Sequence, residues 1–239
     1  MTTEPEVVEV AAVDLDYAPR PWAFAIDRAG EIAAHWQEAL RRKPKMFNGR
    51  VLLMHRGAVD CEAGRSVFHG AYLETDFAAF LAWRDFGLPP AGVRNGFGMA
   101  ALCAADGAYL LGEMASHTAN AGRIYFASGT PDPSDIRGRK VDIEGSIRRE
   151  LAEETGLDCA TLDVEPGMTL VVDDTRVGFM KRIRSPEPAD VLAERIDAFL
   201  ARDPEAELAR VHVVRRIEDI GPAVQSSCVA YLRAKLGGD

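Results

Sequence analysis

The stretch that decides the fold is Asp142-Ile-Glu-Gly-Ser-Ile-Arg-Arg-Glu-Leu-Ala-Glu-Glu-Thr-Gly156. It begins with an aspartate that can cap a helix and ends with a glycine suited to the left-handed position after one. At about 100° per residue, one apolar stripe runs along this helix. Its members are Ile143, Ile147 and Leu151. Glu154 falls within the stripe and Glu150 on its edge, so we expect a helix over residues 142–155 that turns two carboxylates toward the protein.

These two carboxylates predict a metal site. Glu150 and Glu154 are four residues apart, so as ions they repel each other by roughly 0.2–0.5 kcal/mol on an exposed helix, and more when partly buried. Glu153 can reach the same point, and Mg²⁺, with Mn²⁺ as an alternative, suits a site of acids plus substrate phosphates. Arg149 can pair with Glu153. The competing interpretation is a solvated helix face with salt bridges of little energetic value.

A longer string decides between these interpretations. Arg149-Glu-Leu-Ala-Glu-Glu-Thr-Gly-Leu157 matches every defined position in the second half of the Nudix box, R-E-U-x-E-E-x-G-U, where U is a bulky apolar residue. The chain therefore resembles the Nudix hydrolases. The resemblance implies a Nudix-type α/β/α sandwich with a mixed sheet and cleavage of a nucleoside diphosphate linked to another group. It also implies a set of site residues: Glu150, Glu153 and Glu154 as metal ligands, and Glu150 and Arg149 as catalytic residues, Arg149 as a structural partner.

The first half of the box departs from the family pattern. The family's leading glutamate falls on Val141 and its leading glycine on Asp135. Either Asp142, Glu144 or an insertion supplies the missing role. Glu150 is the first candidate for the catalytic base, with four alternatives: Glu144, Asp173, Asp174 and Glu187. The departure also motivates a rival hypothesis, a non-hydrolytic Nudix-fold protein that binds a ligand or regulates.

Gly129 follows a predicted strand where Nudix proteins usually carry a glycine pair. A glycine at this place permits close approach of the backbone to phosphate, which makes Gly129 a candidate for substrate binding. An ordinary turn built from Gly, Pro and Asp explains it equally well.

Strand and helix patterns alternate along the chain, which predicts an α/β fold with a mixed sheet. We expect strands over residues 7–13, 22–26, 50–55, 67–73, 98–104, 108–112, 123–127, 168–172, 177–183 and 208–215. We expect helices over residues 29–42, 76–85, 142–155, 189–201 and 223–235. Prolines and glycines in residues 87–92 predict a boundary between two α/β units, residues 1–92 and residues 93–239. The resemblance implies that the smaller N-terminal unit is a substrate-recognition domain and that the second is the Nudix hydrolase domain.

The N-terminal region indicates the substrate class. Residues 43–49, the two strands after them and the aromatic helix pattern of residues 76–81 look like the leading region of UDP-sugar-cleaving Nudix proteins. The resemblance implies a nucleotide sugar such as UDP-glucose as substrate and makes Asn48 a candidate for binding it. Asn48-Gly49 is also typical of a strand-entry turn. An ADP-ribose or coenzyme A pyrophosphatase shares the same chemistry and stays open.

Composition and charge disfavour several classes of binding partner and cellular location. A formal net charge of −9 disfavours long nucleic acid. The four cysteines show no C-x-x-C spacing, and the acidic start lacks the basic residues of a signal peptide. No apolar run reaches membrane-spanning length. We expect a cytoplasmic monomer or homodimer that acts on a small nucleoside diphosphate derivative.

Overall fold

The computed structural model describes residues 4–118 and 120–237. The first half of the acidic start, residues 1–3, lies outside the described residues, as do residues 238–239 at the end of the expected second domain. The described part contains six α-helices: α1 (Ala23–Asp27), α2 (Ala29–Arg42), α3 (Phe77–Asp85), α4 (Ile143–Thr155), α5 (Ala189–Leu200) and α6 (Ser226–Leu236). No helix in these residues is both long and apolar enough to span a membrane.

Fourteen strands lie in the same residues. They are β1 (Glu6–Val10), β2 (Ala12–Tyr17), β3 (Arg50–Glu62), β4 (Arg65–Asp76), β5 (Asn95–Cys103), β6 (Tyr109–Met114), β7 (Ile124–Tyr125), β8 (Ser128–Gly129), β9 (Ile136–Arg137), β10 (Lys140–Val141), β11 (Asp163–Val164), β12 (Met168–Val172), β13 (Arg176–Arg184) and β14 (Leu208–Val214). They form two sheets.

The larger sheet has the order β1-β12-β13-β5-β6-β14, with β11, β7 and β8 attached to β13, β6 and β5. The smaller sheet has the order β3-β4-β2-β10-β9. Each is mixed, because β13 runs parallel to β5 and β2 runs parallel to β4, whereas their other pairs are antiparallel. The predicted α/β class with a mixed sheet is confirmed.

Both sheets draw strands from either side of residue 92. β1 pairs with β12 in the larger sheet, and β10 pairs with β2 in the smaller one. The main hydrophobic core likewise contains Leu15 and Phe68 beside Phe179. A second, smaller core is built around Trp22 and Trp83 from residues before the expected boundary and Val93 just after it. The division at residue 92 stays a prediction.

Helix α2 and strand β12 have the predicted bounds. The strand predicted over residues 22–26 is wrong, because this segment leads into and forms α1. Its apolar residues alternate as in a strand, yet Ile26 is 62% exposed whereas Trp22 and Phe24 are buried in the smaller core. Trp22 contacts Trp83 edge to face, with ring centroids 6.0 Å apart. Tertiary packing of these rings therefore outweighs the local alternation.

A glycine in β5 lets α4 lie close to the larger sheet. A Cβ at Gly98 would be 2.4 Å from Cγ1 of Ile147, which is buried on the inner face of α4. The absence of a side chain at Gly98 thus sets the depth at which the helix packs, and with it the position of the glutamates farther along α4.

Replacing this glycine should push α4 away from β5. We expect Gly98→Ala to lower the free energy of unfolding by about 1–3 kcal/mol, because a methyl group overfills a packed contact. Urea denaturation measures it. The matched control is Gly30→Ala in α2, where a Cβ meets nothing within 4 Å and should stabilise the helix by up to about 1 kcal/mol. Equal stability of Gly98→Ala and the unmodified protein would contradict this packing account.

Candidate active site

Helix α4 has the ends that the sequence predicts. The Asp142 side chain accepts a hydrogen bond from the Gly145 backbone N–H at 2.9 Å, and Gly156 adopts a left-handed φ of 70°. The apolar stripe is buried, with Ile143, Ile147 and Leu151 each at most 2% exposed. Because this stripe faces the core, the residues beside it on the helix also turn inward.

Glu150 and Glu154 take these inward positions. Glu154 is only 5% exposed, and the Glu150 side chain is 16% exposed. Burial raises the pKa of Glu150 to about 7; Arg149 opposes the rise, and the charges of Glu153 and Glu207 add to it. Burial, followed by the charges of Glu150 and Glu207, raises the pKa of Glu154 well above its usual value. The two carboxylates are therefore costly to ionise together without a cation.

Within residues 4–118 and 120–237, one oxygen of Glu154 has no hydrogen-bond partner. Its Oε1 accepts a hydrogen bond from the Ser128 backbone N–H at 3.5 Å, whereas its buried Oε2 accepts none. A buried carboxylate oxygen without a donor costs free energy unless an ion or a water fills the place. This donor set, two carboxylates side by side, suits a divalent metal ion that prefers oxygen ligands.

Gly129 lies directly against Glu150. A Cβ at this glycine would be 2.3 Å from Oε1 of Glu150, closer than any side chain tolerates. Gly129 thus leaves the space that the Glu150 carboxylate occupies. Gly129, Glu150 and Glu154 also line one cleft, which is described below. The close contact with Glu150 is a structural reason for a glycine at position 129. The role of Gly129 in phosphate binding stays a prediction.

Glu153 points elsewhere. Its side chain is 60% exposed, and its carboxylate accepts a hydrogen bond from Nη1 of Arg149 at 3.3 Å. Arg149 also donates to Oε1 of Glu150 at 2.8 Å and to the carboxylate of Asp135 at 3.2 and 3.3 Å. Burial works against the charged form of Arg149, but the charges of Glu150 and Asp135 outweigh it and raise its pKa. Arg149 therefore holds the Glu150 carboxylate in position while Asp135 holds Arg149.

The altered positions of the box have structural roles. Asp135, where the family has a glycine, is buried and pairs with Arg149, and its carboxylate also accepts from the Asp132 backbone N–H at 3.1 Å. Val141, where the family has a glutamate, is a buried residue of β10 that pairs with Ile136. Asp135 therefore holds the arginine that holds Glu150.

The two glutamates lie in a cleft of about 1180 Å³. Its walls come from residues on both sides of position 92. Residues before the expected boundary contribute Arg42, Lys43, Pro44, Lys45, Met46, Val51, Phe77, Phe80, Arg84 and Leu88. Later residues contribute, besides the glutamates, Asn95, Phe97, Met99, Tyr125, Thr130, Arg176, Glu207 and Gln225, among others. The predicted site residues Glu150, Glu154 and Gly129 are thus brought together in one cleft.

Asn48 is not among the residues that line this cleft. Its Oδ1 accepts a hydrogen bond from the Ala78 backbone N–H at 2.7 Å, at the start of α3. The backbone carbonyl of Gly49 accepts from the N–H of Phe77 at 2.8 Å. The Asn48-Gly49 pair therefore caps α3 and leads into β3, which agrees with the strand-entry interpretation.

Three of the alternative bases do not line the cleft and are bound by basic side chains. Lys181, a buried residue of β13, donates to Glu144 at 2.8 Å. Asp173 accepts from Arg176 at 2.9 Å within a turn. Arg195 donates to Glu187 at 2.8 Å. Asp174 does not line the cleft either.

Sequence reasoning missed Glu207. This residue immediately precedes β14 and lines the cleft, and its charge raises the pKa of both Glu150 and Glu154. No spacing signal marks it, since it lies more than fifty residues from α4 in the sequence. In residues 4–118 and 120–237, no three acidic, histidine or cysteine side chains converge closely enough to hold a metal ion as they stand.

Comparisons with known proteins add the following. No protein-family model matches the sequence. No curated protein matches it. Among solved structures, the chain is similar to a Nudix hydrolase from M. smegmatis, at 18% identity and a TM-score of 0.40, over 59% of this chain and 84% of that one. It is also similar to a MutT protein from Methanosarcina mazei Go1, at 15% identity and a TM-score of 0.40, over 59% and 92% of the two chains. A third similar structure is a mutT/nudix family protein from Listeria innocua, at 15% identity and a TM-score of 0.39, over 58% of this chain and 89% of that one.

The raised pKa of the buried pair predicts a pH-dependent stability in the absence of metal. The folded protein binds protons at Glu150 and Glu154 more tightly than the unfolded chain does. Its stability is therefore highest below the unfolded value of about 4.5 and falls as the pH rises toward 7 and above. In EDTA, we expect Glu154→Gln to melt several degrees higher than the unmodified protein at pH 8 and to show a smaller difference at pH 5.5.

Differential scanning calorimetry at both pH values checks this prediction. The control is Glu194→Gln, on the exposed face of α5, which should change neither melting temperature. A Glu154→Gln protein that is equally destabilised at both pH values would show that the carboxylate is stabilising as it stands and that the pair needs no cation.

Proposed function

We propose that this chain is a divalent-metal-dependent pyrophosphohydrolase of the Nudix type, which cleaves a nucleoside diphosphate linked to another group. The observation that carries the proposal is the buried, unpartnered Oε2 of Glu154 beside Glu150, at the floor of a large cleft. Together with the string over residues 149–157, it favours a site for a cation and a phosphate over a solvated helix face.

Glu150 and Glu154 are the residues that would hold the ion, Mg²⁺ or alternatively Mn²⁺. When bound, such an ion neutralises phosphate oxygens and makes a coordinated water more acidic. Glu153 would act through Arg149, since its exposed carboxylate binds that guanidinium. Arg149 and Asp135 fix the orientation of Glu150, and Gly129 leaves the space for it.

The cleft is suited to a substrate larger than a diphosphate alone. Its N-terminal wall offers the rings of Phe77 and Phe80 and the cations Lys43 and Arg84. Flat rings bind a base by stacking, and cations favour an anionic substrate in a chain of net charge −9. This wall supports the proposal that residues before position 92 recognise the substrate, with a nucleotide sugar such as UDP-glucose as the first compound to test.

A panel of substrates tests the function. The purified chain with Mg²⁺ is incubated with UDP-glucose, ADP-ribose, coenzyme A and dinucleotides, and released monophosphates are measured by chromatography. We expect turnover of at least one compound, abolished by EDTA and reduced at least about 100-fold in Glu154→Gln. The Glu194→Gln control should retain full activity. Ligand binding to the panel without any released monophosphate would instead favour the non-hydrolytic binding protein.

Gly129→Ala tests the contact with Glu150. Because the new methyl group would overlap Oε1 of Glu150, we expect the carboxylate to move and kcat/KM to fall about 10- to 100-fold. Steady-state kinetics with the substrate found above measure it, with Gly30→Ala as a matched substitution in open space. An unchanged kcat/KM in Gly129→Ala would mean that the position of the Glu150 carboxylate does not matter to the reaction.

A further inference from the structure

The hairpin of β3 and β4 leaves part of one sheet edge open. β3 is the outermost strand of the smaller sheet, and its first part is covered where Met54 pairs with Arg94. From residue 57 onward, no strand in residues 4–118 and 120–237 pairs with this edge. Residues 58–66 are exposed and do not line the cleft. The end of β3 is therefore an unpaired strand edge, which is a template for pairing with another chain.

The turn that closes the hairpin determines which backbone groups point outward. Ala63 and Gly64 form a two-residue turn, and both have a positive φ, of 48° and 78°. Such a turn makes Glu62 and Arg65 the hydrogen-bonded pair next to it. The backbone N–H and C=O of Glu62 therefore point to β4, and those of the residue before it point away from β4.

Three residues, each two apart, turn their backbone N–H and C=O groups to the open edge: Gly57, Val59 and Cys61. The carbonyl of Gly57 accepts a hydrogen bond from Nη2 of Arg94 at 3.2 Å, and Arg94 lies outside the hairpin, which agrees with this direction. Within the described residues, Val59 and Cys61 make no backbone hydrogen bond on this side. The Val59 side chain is 43% exposed at the middle of the edge. An added strand would satisfy these groups and cover this side chain.

The charges along the edge are self-complementary. In an antiparallel pairing of two copies centred on Val59, Val59 lies opposite Val59 of the other copy. Arg56 then lies opposite Glu62 of the other copy, and the two-fold symmetry makes this contact twice. The Arg56 and Glu62 side chains are 68% and 57% exposed. Opposite charges directly across two strands stabilise their pairing, whereas like charges oppose it.

The neighbouring registers are less favourable. A pairing centred on Asp60 would place two aspartates opposite each other, and one centred on Cys61 would place Asp60 opposite Glu62. A shift in the other direction would bring the second copy onto the irregularity after Met54, where the edge is already bridged. Charge and the length of free edge therefore favour the register centred on Val59.

We propose that this chain forms a two-fold symmetric dimer in solution, in which residues 56–62 pair antiparallel with the same residues of a second copy, centred on Val59. The two smaller sheets then join into one continuous sheet. The contact is short, so we expect a reversible dimer with a Kd of roughly 1–100 µM. Because the edge lies outside the cleft, the dimer does not depend on the proposed reaction.

Sedimentation velocity of the full chain, from about 1 to 300 µM, tests the dimer. We expect the sedimentation coefficient to rise with concentration from the monomer value to the dimer value. Glu62→Arg places two arginines opposite each other and should weaken the dimer about fivefold or more. The double variant Arg56→Glu, Glu62→Arg restores opposite charges and should recover most of the loss. Glu194→Arg, a matched charge reversal on the exposed face of α5, should have no effect.

Both charged residues also have contacts within the chain. Arg56 lies 3.6 Å from Asp16, and Glu62 accepts from His69 at 2.8 Å. The melting temperature of each variant is therefore measured to show that it is folded.

A disulfide cross-link tests the register without changing these charges. Val59→Cys, in a Cys61→Ser background, should form a covalent dimer under mild oxidation, because Cα atoms of a hydrogen-bonded antiparallel pair lie about 5.5 Å apart. Asp60→Cys in the same background is the matched control. It would lie opposite Ala58 of the other copy and should stay monomeric on a non-reducing gel.

Four results would overturn the proposal. The first is a chain that stays monomeric up to about 300 µM. The second is a dimer that Glu62→Arg does not weaken, and the third is a double variant that recovers none of the loss. The fourth is a Val59→Cys protein that cross-links no faster than Asp60→Cys, which would show that the copies meet at another surface.

Discussion

Two carboxylates one helical turn apart, both turned into the protein, impose the constraint on which the site depends. Glu150 and Glu154 cannot swing to solvent without lifting α4, because the apolar stripe beside them is packed against the larger sheet. Their mutual repulsion and burial favour protonation in the absence of a cation. A doubly charged ion bound to both would remove these two costs at once, and the pair lines a cleft whose wall also carries Lys43 and Arg84.

The interlocked sheets give this helix its surroundings. β10 belongs to the smaller sheet through β2 and leads through Asp142 directly into α4. The first part of the chain therefore fixes the start of the helix as well as one wall of the cleft. Among the residues that line the cleft, Lys45 forms an ion pair with Glu205, and Lys43 donates to the backbone carbonyl of Thr118. The two parts of the chain that line the cleft are thus joined by shared strands and by contacts between loops.

The sequence was sufficient for α4, its caps and its two inward glutamates, because helical periodicity and capping act within one segment. Features that depend on partners far away in the sequence could not be read from it. The strand expected over residues 22–26 is a helix, since packing on Trp83 decides it. Asn48 caps α3 through a backbone contact thirty residues along the chain. Glu207 reaches the cleft only through the pairing of β14 with β6, which no local pattern encodes.

The most direct test of the central claim is the anomalous difference map of a crystal soaked with Mn²⁺. A strong peak within bonding distance of a carboxylate oxygen of both Glu150 and Glu154, about 2.0–2.3 Å, is the result that the account predicts. A map with no peak at this pair, or with Mn²⁺ bound only elsewhere on the chain, would contradict it.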